Sequence, residues 1–185
     1  MLNNLPEVDR STRGIAKKPE NIDGSTRRAF IRALKPEDRE PIRQLLIETD
    51  VFSEQEIEIA LELIDTVLKK PEHRDYIIFS CVEGDQILGY YCVGPTPATQ
   101  GTFDLYWIAV KPSAQGQGIG GKLNTHAEDL VRQEKGRLVI VETSSQPRYE
   151  RTRMFYLSHG YSEVARIRDY YRVGDDLVVY GKYLI

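Results

Sequence analysis

Cysteine is scarce in this chain. Two residues, Cys81 and Cys92, are spread over 185 positions, both inside apolar, strand-like runs. Eleven positions apart, they form neither a disulfide framework nor a zinc-ligand spacing, and they read as buried thiols in a reducing compartment. Long apolar runs are missing too, so no membrane span is expected. Met1 to Gly24 lacks the apolar centre of a secretory signal, which makes the cytoplasm the expected location. There is no excess of one charge. The formal net charge is -3 and the pI about 5.7, a balance that gives no long-range pull toward nucleic acid or an anionic membrane. Histidine is rare, and His73, His126 and His159 are scattered; no metal site is expected from them.

Hydrophobic residues make up 41% of the chain and charged residues 29%, the composition of a globular domain able to bury a core. Residues 1–26 are polar and aperiodic, with Pro6, Gly14, Pro19 and Gly24, and read as a flexible arm ahead of one domain over 27–185. Across positions 1 to 28 six basic residues face four acids, too mixed for a nucleic-acid arm.

The domain reads β-α-α-β-β-β-α-β-α-β-β. Arg28 to Leu34 alternates as a strand, and Pro36-Glu37-Asp38 starts a helix that Pro41 should bend or restart. Ser53 and Glu56 form a capping box ahead of Ile57, Ala60, Leu61, Ile64 and Leu68 at helical spacing, with Pro71 as the stop. Tyr76 to Val82 and Ile87 to Val93 flank a turn at Gly84-Asp85, and Thr102 to Val110 forms the next strand. An amphipathic helix follows over Gly118 to Gln133, then a strand from Arg137 to Thr143 and a helix from Pro147 to Ser158, capped by Gly160. Two final strands flank a Gly174-Asp175-Asp176 turn. The fold expected is α/β (α+β): a mixed central sheet of about seven strands with helices on both faces.

The chemistry concentrates between Phe103 and Gly121. Lys111-Pro112 breaks a strand, and glycines 116, 118, 120 and 121 then crowd the entrance of a helix. Glycines let the backbone wrap a ligand, and the unpaired amides at a helix N-terminus favour a phosphate or pyrophosphate. The spacing is neither GxGxxG nor a P-loop, because Gly121-Lys122 is followed by Leu123 and not by a hydroxyl residue.

Gln115-x-x-Gly118-x-Gly120, after a strand ending Ile108-Ala109-Val110-Lys111-Pro112, resembles the Q/R-x-x-G-x-G/A motif of the GNAT N-acetyltransferases. Phe155-Tyr156-x-x-x-Gly160-Tyr161, about forty residues on, resembles that family's F-Y-x-x-x-G-F/Y. The resemblance covers about residues 28 to 185. It implies acetyl-CoA as co-substrate, without metal, and an N-acetyltransferase moving acetyl to a primary amine, small-molecule or peptide, with a homodimer as a possible state. It implies that the amides of Gln115, Gly116, Gln117, Gly118, Ile119 and Gly120, with Gly121 beside them, hold the pyrophosphate. Ile108, Ala109 and Val110 would pair with the pantetheine arm. Tyr156 would lie by the thioester sulfur, and Asp104 would be the catalytic carboxylate, with Glu142 on the neighbouring strand as its competitor. Many members carry N-x-x-A-x-x-F-Y on the later helix; here Tyr149 and Thr152 stand at the asparagine and alanine positions, and Ser144 could supply the missing contact. Two rival readings keep the fold: a non-catalytic acyl-CoA sensor, and a protein or ribosomal-protein N-acetyltransferase. Asp169, Tyr170, Tyr171, Asp175 and Asp176 in the last hairpin would suit a cationic amine.

Overall fold

A computed structural model describes residues 28–184 apart from positions 71 and 73. The N-terminal arm and His73 lie outside the described residues. The chain runs β1 (Phe30–Ala33), α1 (Arg39–Glu48), α2 (Glu54–Lys69), β2 (Ile77–Glu83), β3 (Gln86–Pro95), β4 (Thr102–Val110), α3 (Ile119–Gln133), β5 (Leu138–Ser144), α4 (Glu150–Ser158), β6 (Ser162–Arg172) and β7 (Asp175–Tyr183). The seven strands form one sheet in the order β1-β2-β3-β4-β5-β7-β6. All neighbours are antiparallel except β4 and β5, which run parallel.

The sheet is clothed on both faces. Ile42, Leu45 and Leu46 of α1 and Ala60, Leu61 and Ile64 of α2 recur at helical spacing and bury against Tyr90, Cys92 and Ala109. On the other face Ile119, Leu123, Ala127 and Val131 of α3 pack on Tyr91, Val93, Leu105 and Val139, with Tyr156 of α4 in the same core. Both cysteines are free and buried.

The expected helix bend at Pro41 takes another form. A separate 3-10 turn, Pro36–Asp38, precedes α1. Pro41 then falls in the first turn of α1, where its missing N–H has no helical acceptor to lose. Asp38 at this junction is buried. It takes both guanidinium nitrogens of Arg32 at 2.6 and 2.7 Å, the Lys35 amide at 3.0 Å and the Ser80 hydroxyl at 3.2 Å. Burial alone would raise this carboxyl, but its hydrogen bonds to Arg32, Lys35 and Ser80 outweigh that and hold it below the usual range. A depressed carboxylate stabilises the fold above its unfolded pKa and loses that contribution as pH falls through the folded value. Thermal melts should therefore show a stability loss below about pH 4 that Asp38→Asn, less stable at neutral pH, no longer shows in full.

The last hairpin departs from the expected turn. The bend closes over Val173 and Gly174, with Gly174 at φ 81°, and Asp175 and Asp176 already belong to β7. Asp175 consequently points inward and is buried.

Candidate active site

β4 and β5 pair over three positions: Thr102 with Leu138, Phe103 with Val139, and Asp104 with Ile140. Beyond Asp104 the strands part, so the β5-facing edge of the second half of β4 has no strand partner among the described residues. The parting is reinforced by a bulge. Cys92 faces Trp107 while Val93 faces Leu105, which leaves Tyr106 as the extra residue of β4. The resulting cleft has a volume of about 640 Å³. β4 supplies Tyr106, Trp107 and Ile108 to it, and β5 supplies Val141 to Ser144. The start of α2 and the residues before α4 cover it. Tyr149 and Glu56 join these two covers across the gap: the Tyr149 hydroxyl donates to Glu56 Oε1 at 2.9 Å.

At the far end of β4 lies the glycine loop. Gly116 and Gly118 adopt φ 75° and 79°, and a Cβ on either would meet nothing within 4 Å. These are left-handed positions opening on space, which is where glycine is needed for a ligand to approach the backbone. The amides of residues 116–118 donate to no backbone acceptor among the described residues, and the first helical bond after them runs from Lys122 N–H to Gly118 C=O. A pyrophosphate fits this cradle, with the positive end of α3 behind it. Gln115 contributes differently from the expectation. Its amide is taken by Pro112 C=O at 3.2 Å, and its side-chain amide donates to Val110 C=O at 3.2 Å. Ile119 and Ala109 bury their side chains, so only their backbone groups can face a ligand.

The two sequence motifs touch. A Cβ on Gly120 would lie 3.1 Å from Phe155 Cε2, and one on Gly121 would lie 3.1 Å from His159 Nε2. Phe155 and His159 therefore sit directly under the start of α3. Tyr156 is 3% exposed, with its ring packed edge-on to Phe155 and Tyr161, and it borders the cleft. Burial alone pushes its phenol well up, with no hydrogen bond contributing. Tyr161, which closes the second motif, donates to Asn124 Oδ1 of α3 at 3.3 Å.

Glu142 borders the cleft, and burial, followed by the charge of Asp104, raises its carboxyl. Asp104 itself lies in an adjoining trough with Leu105, Tyr106, Ile140 and Glu142, where it accepts the Thr96 hydroxyl at 2.7 Å. Ser144 is engaged elsewhere: its hydroxyl donates to Asp175 and accepts the Gln146 amide at 3.0 Å. Of the hairpin residues expected at the cleft, Tyr171 and Asp175 reach it and Asp169, Tyr170 and Asp176 do not. Sequence reasoning missed Phe52, Glu56 and Arg172. The capping box had placed Glu56 on α2, but nothing local signalled that α2 starts over the cleft. Among the described residues no group of three His, Cys, Asp or Glu side chains could hold a metal, and no helix is long and apolar enough to cross a membrane.

A sheet parted between two parallel strands, with a glycine loop leading into a helix at the end of one of them, defines a class, and comparison with known proteins agrees. The acetyltransferase (GNAT) domain family matches residues 74–163. A protein of Desulfovibrio desulfuricans assigned to the GNAT family is 38% identical, with a TM-score of 0.82 over 84% of this chain and 99% of that one. The chain belongs to the GNAT family, and it is an acyltransferase of the N-acetyltransferase kind. An aminoglycoside 6'-N-acetyltransferase complexed with coenzyme A shares the fold at 16% identity (TM-score 0.67; 84% of this chain, 97% of that one). So does the ribosomal-protein-S18-alanine N-acetyltransferase of Escherichia coli at 18% (TM-score 0.65; 84% and 94%). Among curated proteins no match is found.

Proposed function

We propose that this enzyme moves the acetyl group of acetyl-CoA to a primary amine by direct attack. One juxtaposition carries the reading: Glu142 and Tyr156 border the same cleft, at the parting of β4 and β5, and the glycine cradle follows the end of β4. Glu142 takes a proton from the entering ammonium. The neutral nitrogen attacks the thioester carbonyl, an N–C bond forms, and an amide of the bulged segment around Tyr106 faces the oxyanion. The C–S bond then breaks, the thiolate takes the Tyr156 proton, and the proton leaving the attacking nitrogen restores the phenol. Holding both reactants in one cleft supplies much of the acceleration. Asp104 acts at one remove, keeping Glu142 basic by its charge.

Tyr156→Phe keeps the ring packing and removes one hydroxyl. It should lower kcat by ~10²–10⁴, the usual span for general acid help, and leave the KM for acetyl-CoA unchanged. Full kcat in that variant would make Tyr156 a packing residue. No thiol release with any amine, despite acetyl-CoA binding, would instead indicate a sensor. The raised Glu142 carboxyl sets a second expectation. A base with a raised pKa is protonated sooner as pH falls, so kcat/KM should drop at a pH above the ~4.3 of an ordinary glutamate. Glu142→Gln should lose most of the activity together with that limb of the pH profile.

A further inference from the structure

The charges bordering the cleft can be accounted for one by one. Among the described residues three carboxylates reach it: Glu56, Glu142 and Asp175. Glu56 already accepts the Ser53 amide and hydroxyl, both at 2.7 Å, and the Tyr149 hydroxyl. Asp175 accepts the Ser144 hydroxyl and the Gln146 side-chain amide, with Arg172 at 4.0 Å. The other hairpin acids turn away and are likewise engaged. Asp169 takes the Gly174 amide at 2.6 Å, and Asp176 takes Arg166 at 3.0 Å. Two guanidiniums also border the cleft. Arg172 faces Asp175, and Arg148 lies over the Tyr149 ring, 4.9 Å from its centroid. Arg172 is balanced by Asp175, whereas Arg148 has no ion pair among the described residues and would repel additional positive charge beside it. Glu142 is therefore the one carboxylate of the cleft among the described residues with neither an ion pair nor a hydrogen-bond donor.

The remaining wall is apolar and aromatic. Phe52 and Trp107 meet edge to face at 5.4 Å, and Ile59, Val51 and Tyr171 extend the surface. Half of Tyr171 and 45% of Ile59 are exposed, so this wall is open to an incoming molecule. One carboxylate without a donor of its own, beside a ring-sized apolar surface, sets the acceptor's chemistry. A polycation would find the other two carboxylates already filled by protein donors and Arg148 beside them, so its further charges would be buried without a close partner, at high cost.

We propose that the acceptor is a small monoamine: one primary ammonium, received by Glu142, on an apolar body the size of an aromatic ring, received by Phe52, Trp107 and Tyr171. This rests on the acetyl-transfer reading above. It places the substrate apart from polyamines and aminoglycosides, whose several charges the cleft cannot match.

Trp107 is the sole tryptophan of the chain, so its fluorescence reports on this wall directly. Phenylethylamine, spermidine and kanamycin should be titrated into the enzyme carrying coenzyme A, and each assayed for thiol release from acetyl-CoA. Phenylethylamine should alter Trp107 emission saturably and exceed spermidine and kanamycin in kcat/KM by at least ~10-fold, the scale of discrimination an apolar pocket supports. Phe52→Leu and Trp107→Ala should raise the KM for phenylethylamine while acetyl-CoA binding, measured by calorimetry, stays intact. That retained binding also shows that each variant has folded. Spermidine or kanamycin equal to or better than phenylethylamine overturns the inference and leaves the transfer reading standing. Thiol release with no amine overturns both.

Discussion

Gly118→Asp should abolish measurable acetyl-CoA binding while the domain remains folded. The backbone at this position has φ 79°, and a Cβ would project into open space, meeting nothing within 4 Å. The fold therefore has room for the side chain, and the left-handed conformation costs only about 1 kcal/mol, since aspartate tolerates it better than most residues. The cofactor has no such room. The new carboxylate would stand among the free amides that precede Lys122, the place where a pyrophosphate would lie, and would meet its negative charge at close range. Like charges a few ångströms apart in a partly dry site oppose each other by several kcal/mol, enough for at least ~100-fold weaker binding. Calorimetric titration with acetyl-CoA, alongside a melting curve, measures both halves of the expectation. Parental affinity in this variant would place the cofactor elsewhere.

Lys182→Met should be strongly destabilising. Glu128 of α3 is 5% exposed, and Lys182 of β7 reaches both its oxygens at 2.7 and 2.8 Å. The same ammonium donates to His159 C=O at 2.8 Å, and Asn124 donates to Glu128 at 2.7 Å. Removing the lysine leaves the buried carboxylate with the more distant, part-exposed Arg132, at 3.6 Å, as its remaining cation, a loss of about 3 kcal/mol. For a domain of this size that lowers Tm by roughly 10 °C. The double variant Glu128→Gln with Lys182→Met no longer buries a charge and should recover part of the loss. If the double variant melts no higher than the single one, the cost lies in packing and not in the stranded carboxylate. Because this cluster fixes the end of α4 against α3 and β7, the single variant should also lower kcat through a displaced Tyr156.

The elements came out of local signals. The strand read from Thr102 to Val110 has those same bounds in the structure, because Gly101 before it and Pro112 after it interrupt the ladder. The Ser53/Glu56 box caps α2 as expected. The glycine cradle was legible for the same reason: it is contiguous. What escaped the sequence is held by partners far apart along it. Tyr149 and Glu56 are 93 residues apart, Lys182 and Glu128 are 54, and Ser144 and Asp175 are 31. No periodicity links such pairs. Gly174-Asp175-Asp176 read as a turn on composition, yet the turn is confined to Val173 and Gly174, and β7 turns Asp175 inward to a hydroxyl and an amide that only the fold brings there. The contact between Gly120 and Phe155 was equally hidden, though each residue had been singled out by its own motif.

The short parallel junction between β4 and β5 makes the sheet a structure of two plates. Strands β1 to β4 form one, β5 to β7 the other, and three residue pairs are all the ladder between them. Amide hydrogens in the middle of β3, bonded on both sides within their own plate, should exchange with solvent only on global unfolding. Those amides of residues 102–104 and 138–140 that point across the seam should be released earlier, whenever the plates swing apart about it. A ligand lying in the gap would act as a wedge glued to both plates, and deuterium uptake at the seam would then slow on binding without any change in the strands themselves.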